Sequence, residues 1–173
     1  MHPDRLYFFT ATIHRWIPIL QEDYPKQVIL ESLKFLIAEG AIKLSAYVIM
    51  PNHIHLIIKP LNNPKYHNVQ LNFMRYTGQK IKFYLLDQND SVINQVLVNK
   101  KDRVYQIWQR NPQATELYTR SVVEQKLDYI HRNPVQGKWK LANTDMDYEY
   151  SSIKFYEQDE KTLPFLTHYM NLI

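Results

Sequence analysis

The chain has 173 residues, 45% of them hydrophobic, and no cysteine. That length suits one domain with a real core, and the composition excludes a disulfide framework and a thiolate metal site. With 21 Lys and Arg against 17 Asp and Glu the formal charge is +4, which permits a nucleic-acid partner without requiring one. No apolar run is long enough to cross a membrane, and MHPDRLYFF lacks the basic-then-apolar order of a secretion signal. A soluble intracellular protein with no membrane partner is therefore expected.

In chain order, LYFFTATI (residues 6–13) is rich in β-branched and aromatic residues and reads as a strand. In PKQVILESLKFLIAEG, Val28, Ile29, Leu33, Leu36 and Ile37 fall at helical spacing, with Pro25 near the start and Gly40 at the close. IKLSAYVIMP and HIHLIIKP follow as two strands around a tight PN turn. NVQLNFMRYTGQKIKFYLL predicts a second helix of about five turns, weakened at Gly78. DQNDSVINQVLVNKKDR reads as a loop or irregular insertion, and VYQIWQ and ELYTRSV as strand candidates. VEQKLDYIHRN is a short helix stopped by Pro134, and the tail is mixed, with an aromatic end available to pack back on the domain. Nothing divides the chain, so residues 1–173 are taken as a single domain. The order strand, helix, strand, strand, helix, strand, then extra helix predicts an α+β, ferredoxin-like split β-α-β sandwich with an antiparallel sheet.

The second of the paired strands carries His53 and His55 around Ile54. Residues two apart on a strand share a face, so both imidazoles project together while Ile54, Leu56 and Ile58 point into a core. Two neutral imidazoles side by side can grip one divalent ion; alternatively they are polar residues on a solvated sheet face. An ion so held needs a further ligand from another element. On the helix EQKLDYIHRNPV, Val123, Leu127 and Ile130 form the apolar stripe, and Tyr129 and Asn133 lie four apart on one side of it. The Asn133 amide oxygen is a candidate ligand and Tyr129 would then sit one turn away. The plainer alternatives are a tyrosine packed beside the core and an asparagine closing a helix. Pro134 disfavours the helical conformation at Asn133, so its aim is open. His131 is expected at the surface.

Taken together, MPNHIHLI and DYIHRNPVQGKW resemble the single-tyrosine HUH transposases, and within them the REP-associated tyrosine transposases, which act on repetitive extragenic palindromes. YFFTATIHRW is similar to the family's first strand, IWQRN to its W-Q segment, and DYEYSS to its closing D-Y-x-x-S-S. Two departures stand out: residues 87–103 form a longer insertion, and Glu149 and Tyr150 replace the usual Pro-Trp. The resemblance implies that His53, His55 and Asn133 hold a divalent metal, Mg²⁺ or Mn²⁺. It implies that the last helix of the sandwich is catalytic, with Tyr129 as a nucleophile that cuts and rejoins single-stranded, hairpin-forming DNA through a 5′-phosphotyrosine. It further implies a bacterial cytoplasmic, nucleoid-associated setting and either a monomer or a homodimer, with the tyrosine acting in its own site or its partner's.

For the DNA surface, MRYTGQKIKFY sets Arg75, Lys80 and Lys82 among Tyr76, Phe83 and Tyr84, and NKKDR adds Lys100, Lys101 and Arg103. Such mixtures suit phosphate contact plus base stacking, though a solvated face of an amphipathic helix has the same composition. Three other readings compete: a non-catalytic or domesticated DNA-binding protein on the same scaffold, a replication-initiator or relaxase type of nickase, and a metal-dependent hydrolase using water, in which His131 is a spare acid or base.

Overall fold

In a computed structural model that describes residues 1–159 and 161–173 in full, the first strand lies inside the sheet. β1 (Tyr7–Thr12) is flanked by β3 (His53–Pro60) and β6 (Gln113–Glu116), and β2 (Ile42–Met50) pairs with the far side of β3. All three pairings are antiparallel. The order β2-β3-β1-β6 is that of the split β-α-β sandwich expected from the sequence. Pro51 and Asn52 alone turn the chain between β2 and β3, so the register Met50↔His53, Val48↔His55 is fixed locally.

One face of the sheet carries α1 (Asp23–Ala38) and α2 (Val69–Asp87). Phe9, Ala11, Tyr47, Ile49, Ile54, Leu56 and Ile58 meet Val28, Ile29, Leu33 and Leu36 of α1 and Val69, Phe73, Ile81 and Leu85 of α2 in the main core. Gly40, with φ of 63°, ends α1 in the left-handed conformation that glycine adopts without strain. Gly78 is not a weak point. A Cβ there would stand 3.2 Å from Trp108 Cδ1, and the Trp108 indole donates to Thr77 Oγ1 at 3.0 Å. The absent side chain is what lets the W-Q segment seat against α2.

The insertion at residues 87–103 is more ordered than the sequence suggested. It holds a short helix, α3 (Val92–Gln95), and a separate hairpin of β4 (Leu97–Lys100) and β5 (Arg103–Tyr105). ELYTRSV is not a strand either. β6 ends at Glu116, and Thr119 accepts from the Val122 N–H to begin α4 (Arg120–Arg132). Its β-branched composition yields to that cap.

The opposite face, which bears the histidines, is not solvated. Ala46, Val48, Met50 and Ile57 form a second core with Val123 and Ile130 of α4 and with Leu117, Tyr169 and Leu172. The tail secures this layer. Tyr150 O accepts from Ile49 N at 3.0 Å, and Tyr148 donates to Ile49 O at 2.6 Å. Beyond a final short helix, α5 (Ile153–Glu157), Tyr169 donates to Glu124 Oε1 at 2.7 Å and Lys59 to Leu172 O at 3.0 Å. Among the described residues no helix is long and apolar enough to cross a membrane.

Candidate active site

His53 and His55 share the second-core face of β3, opposite Thr12 and Thr10 of β1, with ring centroids 4.8 Å apart. His55 is 6% exposed. The Phe8 ring stacks on it at 5.1 Å, and its Nδ1 lies 2.8 Å from Thr10 Oγ1. Burial, reinforced by His53 and Lys126, pushes its pKa down to about 3. His53 Nδ1 lies 2.7 Å from Asn52 Oδ1. Burial lowers its pKa to about 4, opposed by the Asn133 side chain, which favours the protonated ring, and helped by Lys138. Both rings are thus neutral near pH 7, the state in which imidazole binds metal.

His55 Nε2 is buried and has no hydrogen-bond partner among the described residues. An orphan of this kind costs about 1–3 kcal/mol. With Nδ1–H donated to Thr10, that nitrogen keeps a free lone pair, and a cation would satisfy it. No group of three or more His, Cys, Asp or Glu among the described residues is arranged to hold a metal, so a third protein donor would be of another kind, an amide, hydroxyl or carbonyl oxygen. The Asn133 side chain, whose interaction with His53 opposes the lowering of that ring's pKa, offers an amide oxygen. The donor set of two imidazoles and one amide oxygen fits Mn²⁺ or Mg²⁺ with water completing the shell.

α4 brings the phenol. Val123 and Ile130 are fully buried and fix the rotation of the helix, with Leu127 packed partly beside them. Tyr129 therefore lies over the histidines, its ring centroid 5.2 Å from His55 and 6.0 Å from Phe8. It remains 47% exposed. Lys126, one turn earlier, holds its ammonium 4.9 Å from the Phe8 ring and 5.8 Å from the Tyr129 ring. Asn133 is helical (φ −55°, ψ −42°) despite preceding Pro134. The chain tightens into a 3-10 turn over Asn133–Val135, with the Asn133 N–H donating to Ile130 O and Pro134 O accepting from Leu141 N at 2.8 Å. The helix direction is thus carried one residue further than a proline stop allows, and Asn133 stays on the Tyr129 side.

His131 is not at the surface. It is buried, its Nε2 lies 2.9 Å from Ser152 Oγ, and burial lowers its pKa to about 4 against the opposing pull of Asp145 and Asp128. It faces away from the site and is a poor candidate for a spare acid or base.

The basic residues named for DNA contact are divided. Arg75, Lys82 and Arg103 line an open groove of about 1010 Å³ between α2, β5 and residues 107–112, together with Arg110. Arg103 and Arg110 share Asp102 as an ion-pair partner. Lys80 lies outside it, 5.7 Å over the Tyr76 ring, and Lys100 and Lys101 stand exposed at the β4–β5 turn. α2 packs on the sheet face opposite the histidines. The sequence reading missed Lys126, which its spacing of three from Tyr129 makes legible, and it missed Lys138 and Trp16, which only the tertiary fold brings beside His53.

No family model matches the chain, and no curated protein is similar to it at a significant level. Solved structures do match. The structure of a REP-associated tyrosine transposase bound to a REP hairpin superimposes with a TM-score of 0.60 at 18% identity, over 87% of this chain and 78% of that one. The two share a fold. A crystal structure of a candidate transposase from Deinococcus radiodurans R1 matches with a TM-score of 0.48 at 11% identity, over 73% of this chain and 88% of that one. The first of these likenesses extends to the α+β architecture and leaves the chemistry to be argued from the side chains.

Proposed function

We propose that the protein is a metal-dependent single-stranded DNA endonuclease and strand transferase, a REP-type transposase that cleaves through a 5′-phosphotyrosine and rejoins the strand. The observation that carries this reading is the convergence of two neutral imidazoles 4.8 Å apart with the Tyr129 ring 5.2 Å from one of them. The shared fold with a protein bound to a REP hairpin supports DNA as the partner. His53, His55 and Asn133 would hold Mg²⁺ or Mn²⁺, which when bound withdraws charge from the non-bridging oxygens of a phosphate.

The remaining work falls to the chain itself. Tyr129 Oη attacks phosphorus in line, the Oη–P bond forming as the P–O3′ bond breaks, and the phenolic proton is given up to solvent while the 3′-oxygen takes one and leaves as a 3′-hydroxyl. The phosphotyrosine keeps the energy of the broken ester, so a second 3′-hydroxyl reverses the step and joins strands without a nucleotide cofactor. Within one protomer α4 carries the Tyr129 ring 5.2 Å from His55, a placement that supports attack in the chain's own site. Lys126 adds a cation where the phosphate approaches. Arg75, Lys82, Arg103 and Arg110 form a groove suited to a second, folded part of the DNA, with Lys80, Lys100 and Lys101 at its margin.

Mixing the protein with a labelled hairpin-bearing strand and Mn²⁺ should give a protein–DNA adduct that survives denaturation. Tyr129→Phe should abolish it. Undiminished adduct from that variant removes Tyr129 as nucleophile, and tight binding with no adduct from the native chain favours a DNA-binding protein without catalysis.

A further inference from the structure

Trp16 is 57% exposed at the end of the segment after β1, with its ring 6.2 Å from His53 and nearly edge-on to it. Its backbone is strained. Arg15 and Trp16 are consecutive non-glycine residues with φ of 55° and 60°, a conformation that bulky side chains rarely adopt. The strain is held in place by Asn52, which is almost wholly buried. Its Nδ2 donates to Trp16 O at 3.1 Å, and its Oδ1 lies 2.7 Å from His53 Nδ1. Trp16 N donates to Ile13 O at 2.9 Å, and Ile13 N to Asn52 O at 2.8 Å. One amide side chain thus positions both a metal-competent imidazole and an indole standing in solvent.

A solvated indole contributes little to the core, so neither packing nor local preference explains the strained turn. Positive charge surrounds the same mouth. Arg15 is exposed, Lys138 acts on His53 and Lys126 on His55. A flat aromatic face among cations suits one occupant: an unpaired nucleobase whose neighbouring phosphates meet the lysines.

We infer that Trp16 is a base-stacking platform for the unpaired nucleotide beside the phosphate that the His53–His55 site receives, and that Asn52 fixes its distance from that site. The inference rests on the proposed function for the identity of the strand, and its test needs no covalent chemistry. Hairpin oligonucleotides with a single-stranded flank, each carrying 2-aminopurine at a different flank position, are bound with Mn²⁺ to the Tyr129→Phe protein. One position should show quenched fluorescence. Adding Trp16→Ala should abolish the quench and weaken binding about tenfold, while Trp16→Phe should keep most of both. An unchanged melting temperature for Trp16→Ala shows that the fold survives, as expected for an exposed ring. A series on the Tyr129→Phe protein with no responsive position, or a quench that survives Trp16→Ala, overturns the inference. A Trp16-dependent quench together with no adduct from the native chain would uphold the stacking site and overturn the proposed catalysis instead.

Discussion

His131 Nε2 and Ser152 Oγ lie 2.9 Å apart in the second core, and this pair ties the helix bearing Tyr129 to the edge of β2. Ser152 Oγ also accepts from Tyr47 N at 3.0 Å, and Ser152 N donates to Tyr47 O at 3.0 Å. Ser152→Ala leaves the Tyr47 N–H and the His131 nitrogen without a partner. A loss of about 1–3 kcal/mol is expected from urea denaturation. An unchanged midpoint would mean that water takes the place of the hydroxyl.

Thr10 Oγ1 lies 2.8 Å from His55 Nδ1 and, by accepting its N–H, would leave Nε2 free to ligate. Thr10→Val keeps the shape of the strand and removes that contact. Mn²⁺ affinity, read by calorimetry, should fall about 10- to 100-fold. Equal affinity in the variant would show that Nε2 of His55 is not the ligating nitrogen.

Stability should decline on mild acidification. His53, His55 and His131 have folded pKa values of about 4, 3 and 4 against 6.5 when unperturbed, each lowered chiefly by burial. Between pH 6.5 and about 4 the unfolded chain therefore binds more protons than the folded one. The unfolding free energy falls by up to about 1.4 kcal/mol per pH unit for each such histidine. Lys126 and Lys138 reinforce the effect at the pair, whereas Asp128 and Asp145 moderate it at His131. Urea midpoints at pH 7.5 and pH 5 test this, and equal values would mean that the three rings are hydrated in solution.

Gly78→Ala should not give the gain of about 1 kcal/mol that alanine brings inside a helix. The new Cβ would meet Trp108 at 3.2 Å, and that indole is buried and held by Thr77. Thermal melting should show no increase, and Gly78→Val should melt lower than either. A higher melting temperature for the alanine variant would show that Trp108 has room to shift.

The elements with strong periodicity were legible in the chain. Val28, Ile29, Leu33 and Leu36 announce α1, and the HIH alternation announces both the strand and the shared face of its histidines. Tyr129 and Asn133 could be placed on one helix face by spacing alone. Their closeness to His53 and His55 depends on the packing of Val123 and Ile130 against Val48 and Met50, which no local pattern encodes. His131 was misread because its partner Ser152 lies 21 residues away, beyond any local pattern. The hairpin β4–β5 was missed because its strands are short and half polar. Trp16 was unreadable because its conformation is set by Asn52, across 36 residues.

The inside position of β1 orders the assembly of the molecule in time. Its neighbours β3 and β6 are made after it, and β6 pairs with residues 7–10 across roughly a hundred residues of sequence. On a ribosome that gap lasts on the order of ten seconds. The β2–β3 hairpin, closed by two residues, can form while β1 still waits, and it is the natural nucleus onto which the older strand docks. Closing the sheet across that separation is the slow step that the strand order imposes.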